Sequence, residues 1–491
     1  MSNKQPRYSG KFWFSDEPGH VIPGYLDLSG KRPRVELLGA LSKFIEEVPS
    51  VAKGVRKFAS SNPSPNERTI HGEIIGPSRR VTLLRVRSRS YKTPTMNPLS
   101  LLRGQGLEEE TIDGTHAVLG AHLGGRDANF NEAMFRLAGQ DAWAHLSGLE
   151  MQHTIDGSEK GRITFTHQLP ERLSTKLPNE LGSLCIVPEA TVSPPRIAGA
   201  YILTSTWFSV ENKMGMTLDT LTERYVTPTS ALLTILYIRE CPPVGIRIKD
   251  PESGRWCDVF SPGLADDPTD VHSPKIEDPP LLSREDLGLD RLAMWLQLVE
   301  RVTPLPQLVA GAIETGTRTV QNLLLELATA AEGVHRKLHP DSQRLGERAR
   351  AEALEAISAM DTDPKARSIL HDAMRTYLWD LSFPMRLKEL ANEVAGAMPG
   401  VTGRTSRWSS AVVDARNGFA HWLAGASSED KIFAYHVLYQ SLRWLLTCRL
   451  LLESGVPSDV LASRLAEFEP YRQFLREAKR TLPRIYPPQD Q

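Results

Sequence analysis

Three residues in one short segment, ARNGFAHW at 415–422, could carry out acid–base chemistry at a phosphate group. Arg416 and Asn417 are adjacent, and His421 follows the arginine by five positions. Histidine has an ordinary pKa that lets it act as an acid or a base near neutral pH. Arginine carries a permanent charge on a planar group whose N–H donors match phosphate oxygens. The asparagine could hold the histidine or a phosphate oxygen, because the two residues are one helical turn apart.

The spacing between arginine and histidine is weak evidence by itself. The same interval separates Arg162 from His167 in GRITFTHQL, at 161–169. That segment alternates like a strand, so we interpret Arg162 and His167 as structural. The segment around Arg416 has a different pattern, which is that of a helix.

A helix predicted over 406–425 separates an apolar stripe from a polar face. Its large and small apolar residues recur at helical spacing, which is typical of a helix packed in a bundle. The stripe consists of Trp408, Val412, Ala415, Phe419 and Trp422. The opposite face consists of Ser410, Asp414, Asn417 and His421. This face could be a solvated surface, but short polar residues with Val413 and Ala420 beside them favour a contact surface or a cleft.

Arg416 lies on the flank of this helix, between the stripe and the polar face, so it does not share a face with His421. Two such helices facing each other would bring both residue types into one cleft. We therefore expect the active site to lie between two subunits of a dimer.

A second helix, predicted over 314–338, carries further polar residues. Its apolar stripe consists of Val320, Leu324, Leu327, Ala331, Val334 and Leu338. Glu332 and His335 lie beside that stripe, and Glu332 could orient Arg416 or His421. The alternative is a salt bridge in the bundle, with Arg336 of the partner or with a neighbouring helix. Arg336 is also a candidate for contact with nucleic acid. His335 and His339 are four residues apart, but the absence of an evident third ligand argues against a metal site.

The elements that must position these residues differ between the two halves of the chain. The first half has short runs rich in β-branched and aromatic residues, separated by Gly, Pro, Asn and Asp, which predict strands. These runs lie at 24–28, 34–41, 72–76, 80–88, 161–169, 183–192, 197–210 and 244–250. Helical spacing is predicted within that half at 129–148 and 217–237, and almost everywhere from Arg284 to Leu482.

A segment rich in proline and aspartate, at 261–286, marks the change of character. The sequence therefore predicts an α+β multidomain protein in three parts. A β-rich N-terminal region of one or two subdomains spans 1–265, a linker spans 266–283, and an all-α bundle spans 284–491. Two or three domains are the expectation for a chain of 491 residues.

Composition limits the classes of function. The formal net charge is -1, so binding to nucleic acid would need a local patch or a symmetric cleft. The four cysteines form no CxxC pair, which suits a reducing compartment and argues against a thiolate metal site. No segment has the apolar run of a signal peptide or a transmembrane helix, so we expect a cytoplasmic protein that is not associated with a membrane.

The chain resembles a known family at several of these segments. Arg416-Asn417 followed by His421 resembles the HEPN ribonuclease motif, which has an arginine, a short polar residue and a later histidine. AAEGVHRKLH (330–339), FPMRLKELANEV (383–394) and the segment ending at His421 resemble helices of the ApeA-type subgroup. Residues 11–41, with HGEIIGPSRRVTLLR (71–85) and NFNEAMFRLAGQDAWAH (129–145), are similar to the ApeA N-terminal domain.

The resemblance implies an RNA endonuclease that acts without a metal or other cofactor in abortive defence against phage. It implies a helical bundle that forms a homodimer or a higher homo-oligomer. Arg416 and His421 would carry out catalysis with assistance from Asn417, and the N-terminal region would sense a phage-derived trigger. Transfer RNA is the favoured substrate, because a defence nuclease must halt translation. Two alternatives remain open, namely a non-catalytic dimerisation or ligand-binding module and the toxin of a toxin–antitoxin pair.

Overall fold

The computed structural model of the protein divides into two compact units. The first comprises 1–226 with 242–276, and the second comprises 227–241 with 277–491. The structure describes residues 7–42, 45–48, 57–60, 68–76, 78–92, 108–124, 128–155, 161–177, 182–192, 202–265, 279–313, 316, 318–420 and 429–487. The predicted linker at 266–283 lies mostly outside these residues, and the predicted domain limits at 265 and 284 stay predictions.

Within the described residues, the first unit is built on one 13-stranded sheet, with two further strand pairs. The strands are β1 (Arg7–Phe14), β2 (Ile22–Asp27), β3 (Arg34–Leu37), β4 (Ile45–Val48), β5 (Lys57–Ser60), β6 (Arg68–Ile74), β7 (Arg80–Lys92), β8 (Glu109–Asp113), β9 (His116–Leu119), β10 (Phe130–Leu137), β11 (Leu149–Ile155), β12 (Gly161–His167), β13 (Leu173–Lys176), β14 (Gly182–Val192), β15 (Ile202–Met216), β16 (Pro243–Lys249) and β17 (Trp256–Phe260). The order in the sheet is β13-β14-β15-β10-β16-β17-β9-β7-β6-β1-β2-β3-β8, and β7 also pairs with β8.

Alternation of buried and exposed side chains along the sequence explains why the first half of the chain forms strands. In β1, Phe12 and Phe14 are buried while the residues between and before them are not. They join Leu26, Val35 and Ile70 in one core, since successive residues of a strand point to opposite faces. The strands predicted from the sequence are confirmed at all eight runs.

The helix predicted over 129–148 is wrong for most of its length. Phe130–Leu137 is a strand that pairs with Ile202–Met216 on one side and Pro243–Lys249 on the other. Its last five residues are all buried, so the run lacks the alternation of a half-exposed strand. A continuous apolar run does not distinguish a fully buried strand from a helix. Only Gln140–Ala144 is helical.

Helices make up the second unit, and the prediction for 284–482 is confirmed. The helices of the chain are α1 (Gln140–Ala144), α2 (Leu218–Leu221), α3 (Thr227–Tyr237), α4 (Arg284–Val302), α5 (Leu305–Gly311), α6 (Val320–Leu338), α7 (Glu347–Ala359), α8 (Pro364–Ala373), α9 (Phe383–Val394), α10 (Thr405–Ala420), α11 (Glu429–Glu453), α12 (Ser458–Glu467) and α13 (Glu469–Thr481). Short π-helical turns span Thr222–Val226 and Met374–Leu378. The helical prediction for 217–237 is therefore confirmed as well.

Helix α6 lies at the centre of this unit and packs against α9, α10 and α11. It begins at Val320 and not at 314, because the Thr319 side chain caps it by accepting a hydrogen bond from the Asn322 amide. The helical hairpin of α7 and α8 is different, since it buries only Ala373. Among the described residues, no helix combines the length and apolar content needed to cross a membrane.

Candidate active site

The α10 helix presents the stripe and the polar face predicted for it, as far as the structure describes them. Trp408, Val412 and Ala415 are buried. The Trp408 indole nitrogen donates to the Ser441 hydroxyl on α11 at 2.8 Å, so the helix is fixed in rotation as well as in position. Phe419 is half-buried and packs edge-on against Tyr435.

Three members of the predicted polar face are exposed, namely Ser410, Asp414 and Asn417. Asn417 therefore lies where a substrate could reach it. His421 and Trp422 lie outside the described residues, as does the rest of the helix predicted beyond Ala420. The roles of Arg416, Asn417 and His421 in catalysis stay predictions.

Arg416 lies on the flank of α10, with 33% of its side chain exposed. One terminal nitrogen of its guanidinium lies 3.5 Å from Glu332 Oε2 on α6. The guanidinium carbon lies 5.0 Å from the centre of the Phe383 ring at the start of α9. The first contact is longer than an ordinary charged hydrogen bond, and the second is a cation–π contact. The group is thus oriented by two neighbouring helices while part of it still faces solvent.

Glu332 is shared between two arginines. Its Oε1 accepts from both Nε and a terminal nitrogen of Arg336, at 3.3 and 3.1 Å, while its Oε2 faces Arg416. Arg336 then donates to Asp380 Oδ2 at 2.9 Å. The salt bridge between Glu332 and Arg336 is therefore formed within α6, and not across to a partner or a neighbouring helix as the alternative had it. It occurs together with the contact to Arg416. Whether Glu332 serves catalysis stays a prediction.

His335 is fully buried, although the sequence analysis placed it on the flank of α6. Its Nδ1 lies 2.9 Å from a terminal nitrogen of Arg386, and its Nε2 lies 2.7 Å from Glu389 Oε2. A guanidinium can only donate, so Nδ1 accepts and Nε2 carries the proton that Glu389 accepts. Burial lowers the pKa of His335, with Arg386 and His339 acting in the same direction. The neutral ring is therefore held inside the bundle, away from any substrate.

Four residues of this cluster were missed by the sequence analysis: Asp380, Phe383, Arg386 and Glu389. Three of them lie in the segment 383–394, which was recognised only as a helix. Their types alone give no signal, because α9 carries charged residues on both its buried and exposed sides. Only the packing of α9 against α6 identifies Arg386, which is 2% exposed, as the charge that lies inside.

Burial excludes three of the cysteine thiols as reactive groups. Burial raises the pKa of Cys241 and of Cys448 to about 12 and that of Cys257 to about 11, so these thiols are poor nucleophiles. All four cysteines are buried and unpaired. Within the described ranges, no three His, Cys, Asp or Glu side chains are grouped to hold a metal ion.

The fold and this cluster define a two-part protein with a strand-rich N-terminal unit and a helical bundle that presents an arginine beside a polar helix face. Residues 7–295 match the family described as ApeA N-terminal domain 1, and residues 325–460 match the Apea-like HEPN family. The chain belongs to the ApeA-type proteins with a C-terminal HEPN domain. Neither a curated protein nor a solved structure matches the chain.

Family membership confirms the resemblance seen in the sequence. HEPN domains are generally ribonucleases, which typically act on RNA and dimerise. Membership of the two families suggests a role as a nuclease in defence against phage.

Proposed function

We propose that this chain is a metal-independent RNA endonuclease that acts in abortive defence, cutting host transfer RNA when a phage component triggers it. The observation that carries the proposal is the Arg416 guanidinium, which is one-third exposed beside the polar face that bears Asn417. That position suits a group that contacts a phosphate. The proposal assigns the β-rich N-terminal unit to sensing the trigger or restraining the nuclease.

The chemistry uses the 2′-hydroxyl of RNA as the nucleophile, a group that DNA lacks. The 2′-oxygen attacks phosphorus as a base takes its proton, and the P–O5′ bond breaks as an acid protonates the leaving 5′-oxygen. The products are a 2′,3′-cyclic phosphate and a 5′-hydroxyl. His421 acts as acid or base in this proposal, and Arg416 balances the charge on the transition state.

The two-fold arrangement of the site is part of the proposal. Arg416 lies on the flank of α10, whereas His421 is expected on the polar face, so the motif of one helix does not bring the two together. Two facing α10 helices would supply both residue types to one cleft. An obligate monomer that cuts RNA at the full rate would contradict this part of the proposal.

The cellular experiment compares the wild type with Arg416→Ala and His421→Ala during phage infection. We expect intact transfer RNA to disappear in infected cells that express the wild type, and to persist with either variant. Northern analysis with size standards measures the cleavage. Loss of transfer RNA with the His421→Ala variant, or intact transfer RNA in every culture, would contradict the proposal.

A further inference from the structure

The charged groups around Arg416 form a chain that runs from the surface into the core. Charges alternate along it, from Arg416 to Glu332, Arg336, Asp380 and Arg386. The inner end is fixed, because Arg386 is 2% exposed and also contacts His335. Such a chain restricts the side chains at its outer end more than an isolated surface pair would.

Asp380 connects the fixed and the exposed parts. Its Oδ1 accepts from the Leu381 amide at 2.7 Å and from a terminal nitrogen of Arg386, so the carboxylate cannot rotate freely. Its Oδ2 holds one end of the Arg336 guanidinium at 2.9 Å. Arg336 is half-exposed, and without this contact its long side chain would be free to turn towards solvent.

The two carboxylate oxygens of Glu332 have different partners, and this determines which of them Arg416 can contact. Arg336 engages Glu332 Oε1 through two of its nitrogens, which leaves only Oε2 for Arg416. Among the described residues, the contact of Arg416 with that oxygen, at 3.5 Å, is its only polar contact. A carboxylate released by Arg336 would be free to form a two-pronged pair with Arg416 and to occupy the N–H groups that a phosphate needs.

We propose that Arg336, held by Asp380, is a positioning residue that keeps Glu332 from sequestering Arg416, so that the Arg416 guanidinium stays available to an RNA phosphate. This inference rests on the proposed function, because it takes Arg416 as the phosphate-binding group. It differs from a direct role of Arg336 in contacting nucleic acid. The distinction is testable, because a lost direct contact cannot be restored by removing the charge of Glu332.

The test uses the full chain and a single-stranded RNA whose 2′-hydroxyls are methylated, so that binding is measured without cleavage. The variants are Arg336→Met, Glu332→Gln and the two combined, in a double-mutant cycle read by fluorescence anisotropy. We expect Arg336→Met to weaken binding about tenfold, the effect of losing one charged contact to a phosphate. Glu332→Gln should restore RNA binding by the Arg336→Met variant to within about threefold of the wild type.

A matched control is available on α7. Arg348 forms the same kind of pair, four residues before Glu352, but its side chain is 93% exposed and lies in the hairpin. Arg348→Met removes the same charge and should leave RNA binding unchanged. Asp380→Asn should also weaken RNA binding, because it releases Arg336. Since Asp380 also contacts buried Arg386, circular dichroism is used to check that this variant still folds.

Each outcome bears on the inference. Equal binding by the Arg336→Met and Arg348→Met variants overturns it, and so does a failure of Glu332→Gln to restore Arg336→Met. A wild type that binds no RNA overturns both the inference and the proposed function. If the binding pattern is as expected but unmethylated RNA stays intact even with lysate of phage-infected cells added, the positioning role stands and the proposed nuclease function fails.

Discussion

At the scale of single residues, His335 shows how burial fixes a protonation state. The charged and titratable groups that face the ring are Arg386, Glu389 and His339. Because Arg386 donates to Nδ1, a second proton on the ring would face a permanent positive charge. Burial lowers the pKa of His335 below its ordinary value of 6.5, and the nearby arginine adds to this shift.

This arrangement predicts a pH dependence of stability. The unfolded chain binds the proton more readily than the folded one, so the free energy of unfolding falls as the pH drops below about 6.5. His335→Asn keeps an acceptor for Arg386 but cannot titrate. Between pH 7 and pH 5, we expect the free energy of unfolding of this variant to fall less than that of the wild type. The difference between the two slopes is at most about 1.4 kcal/mol per pH unit, the value for one proton.

Urea titrations of both proteins at several pH values measure this difference. Burial also lowers the pKa of His71, His116 and His436, so the wild type retains a slope from them and only the difference isolates His335. The carboxylates of Asp380 and Glu453 lose their stabilising pairs only at lower pH, since their pKa values lie below the ordinary range. Equal slopes for the two proteins would exclude His335 as the titrating group.

At the scale of elements, the packing of α10 on α11 depends on a buried tryptophan. Trp408 is fully buried and donates to Ser441, whose own hydroxyl donates to the Leu438 carbonyl at 2.7 Å. Removing the indole leaves a cavity and removes the hydrogen bond that fixes the helix rotation. The orientation of Arg416, two turns further along α10, depends on that rotation.

Trp408→Phe should therefore destabilise the protein by about 1–3 kcal/mol through the lost hydrogen bond and cavity. The urea midpoint of unfolding measures the effect. Trp256→Phe is the matched control, because Trp256 is 39% exposed on β17 and its replacement should change the midpoint little. Equal midpoints for the wild type and Trp408→Phe would show that the buried indole does not stabilise the helix pair.

Helical spacing predicted the elements that carry the site better than it predicted their ends. The stripe and polar face of α10 followed from sequence alone, because a packed helix must separate them. The start of α6 did not, since capping by Thr319 decides it. The strand at Phe130–Leu137 was also missed, because burial on both faces erases the alternation that identifies a strand.

At the scale of the whole molecule, each compact unit is built from two segments that are separate in the sequence. Residues 227–241 belong to the helical unit, although strands of the N-terminal unit follow them at Pro243–Lys249 and Trp256–Phe260. The family match for the N-terminal region runs through this segment to residue 295. Sequence patterns identified 217–237 as helical but could not assign it to a unit, because long-range packing decides that assignment.

The site itself was predictable only in part. The arginine, asparagine and histidine are predicted from their types and helical phase, and their roles in catalysis stay predictions. The chain of charges behind Arg416 was not predictable, because two of its links, Arg416–Glu332 and Arg336–Asp380, join residues more than 40 positions apart. Such contacts have no periodicity in the sequence.

The central claim is that Arg416 and His421 cut RNA without a metal. Cleavage of transfer RNA in excess chelator, with lysate of phage-infected cells added as the source of the trigger, tests it most directly. The second arginine–histidine pair of the chain, Arg162 and His167 on β12, supplies a control with the same spacing. We predict 2′,3′-cyclic phosphate ends with the wild type and with the Arg162→Ala, His167→Ala double variant, and intact RNA with Arg416→Ala or His421→Ala. Intact RNA with the wild type, or equal cleavage by His421→Ala, would contradict the account.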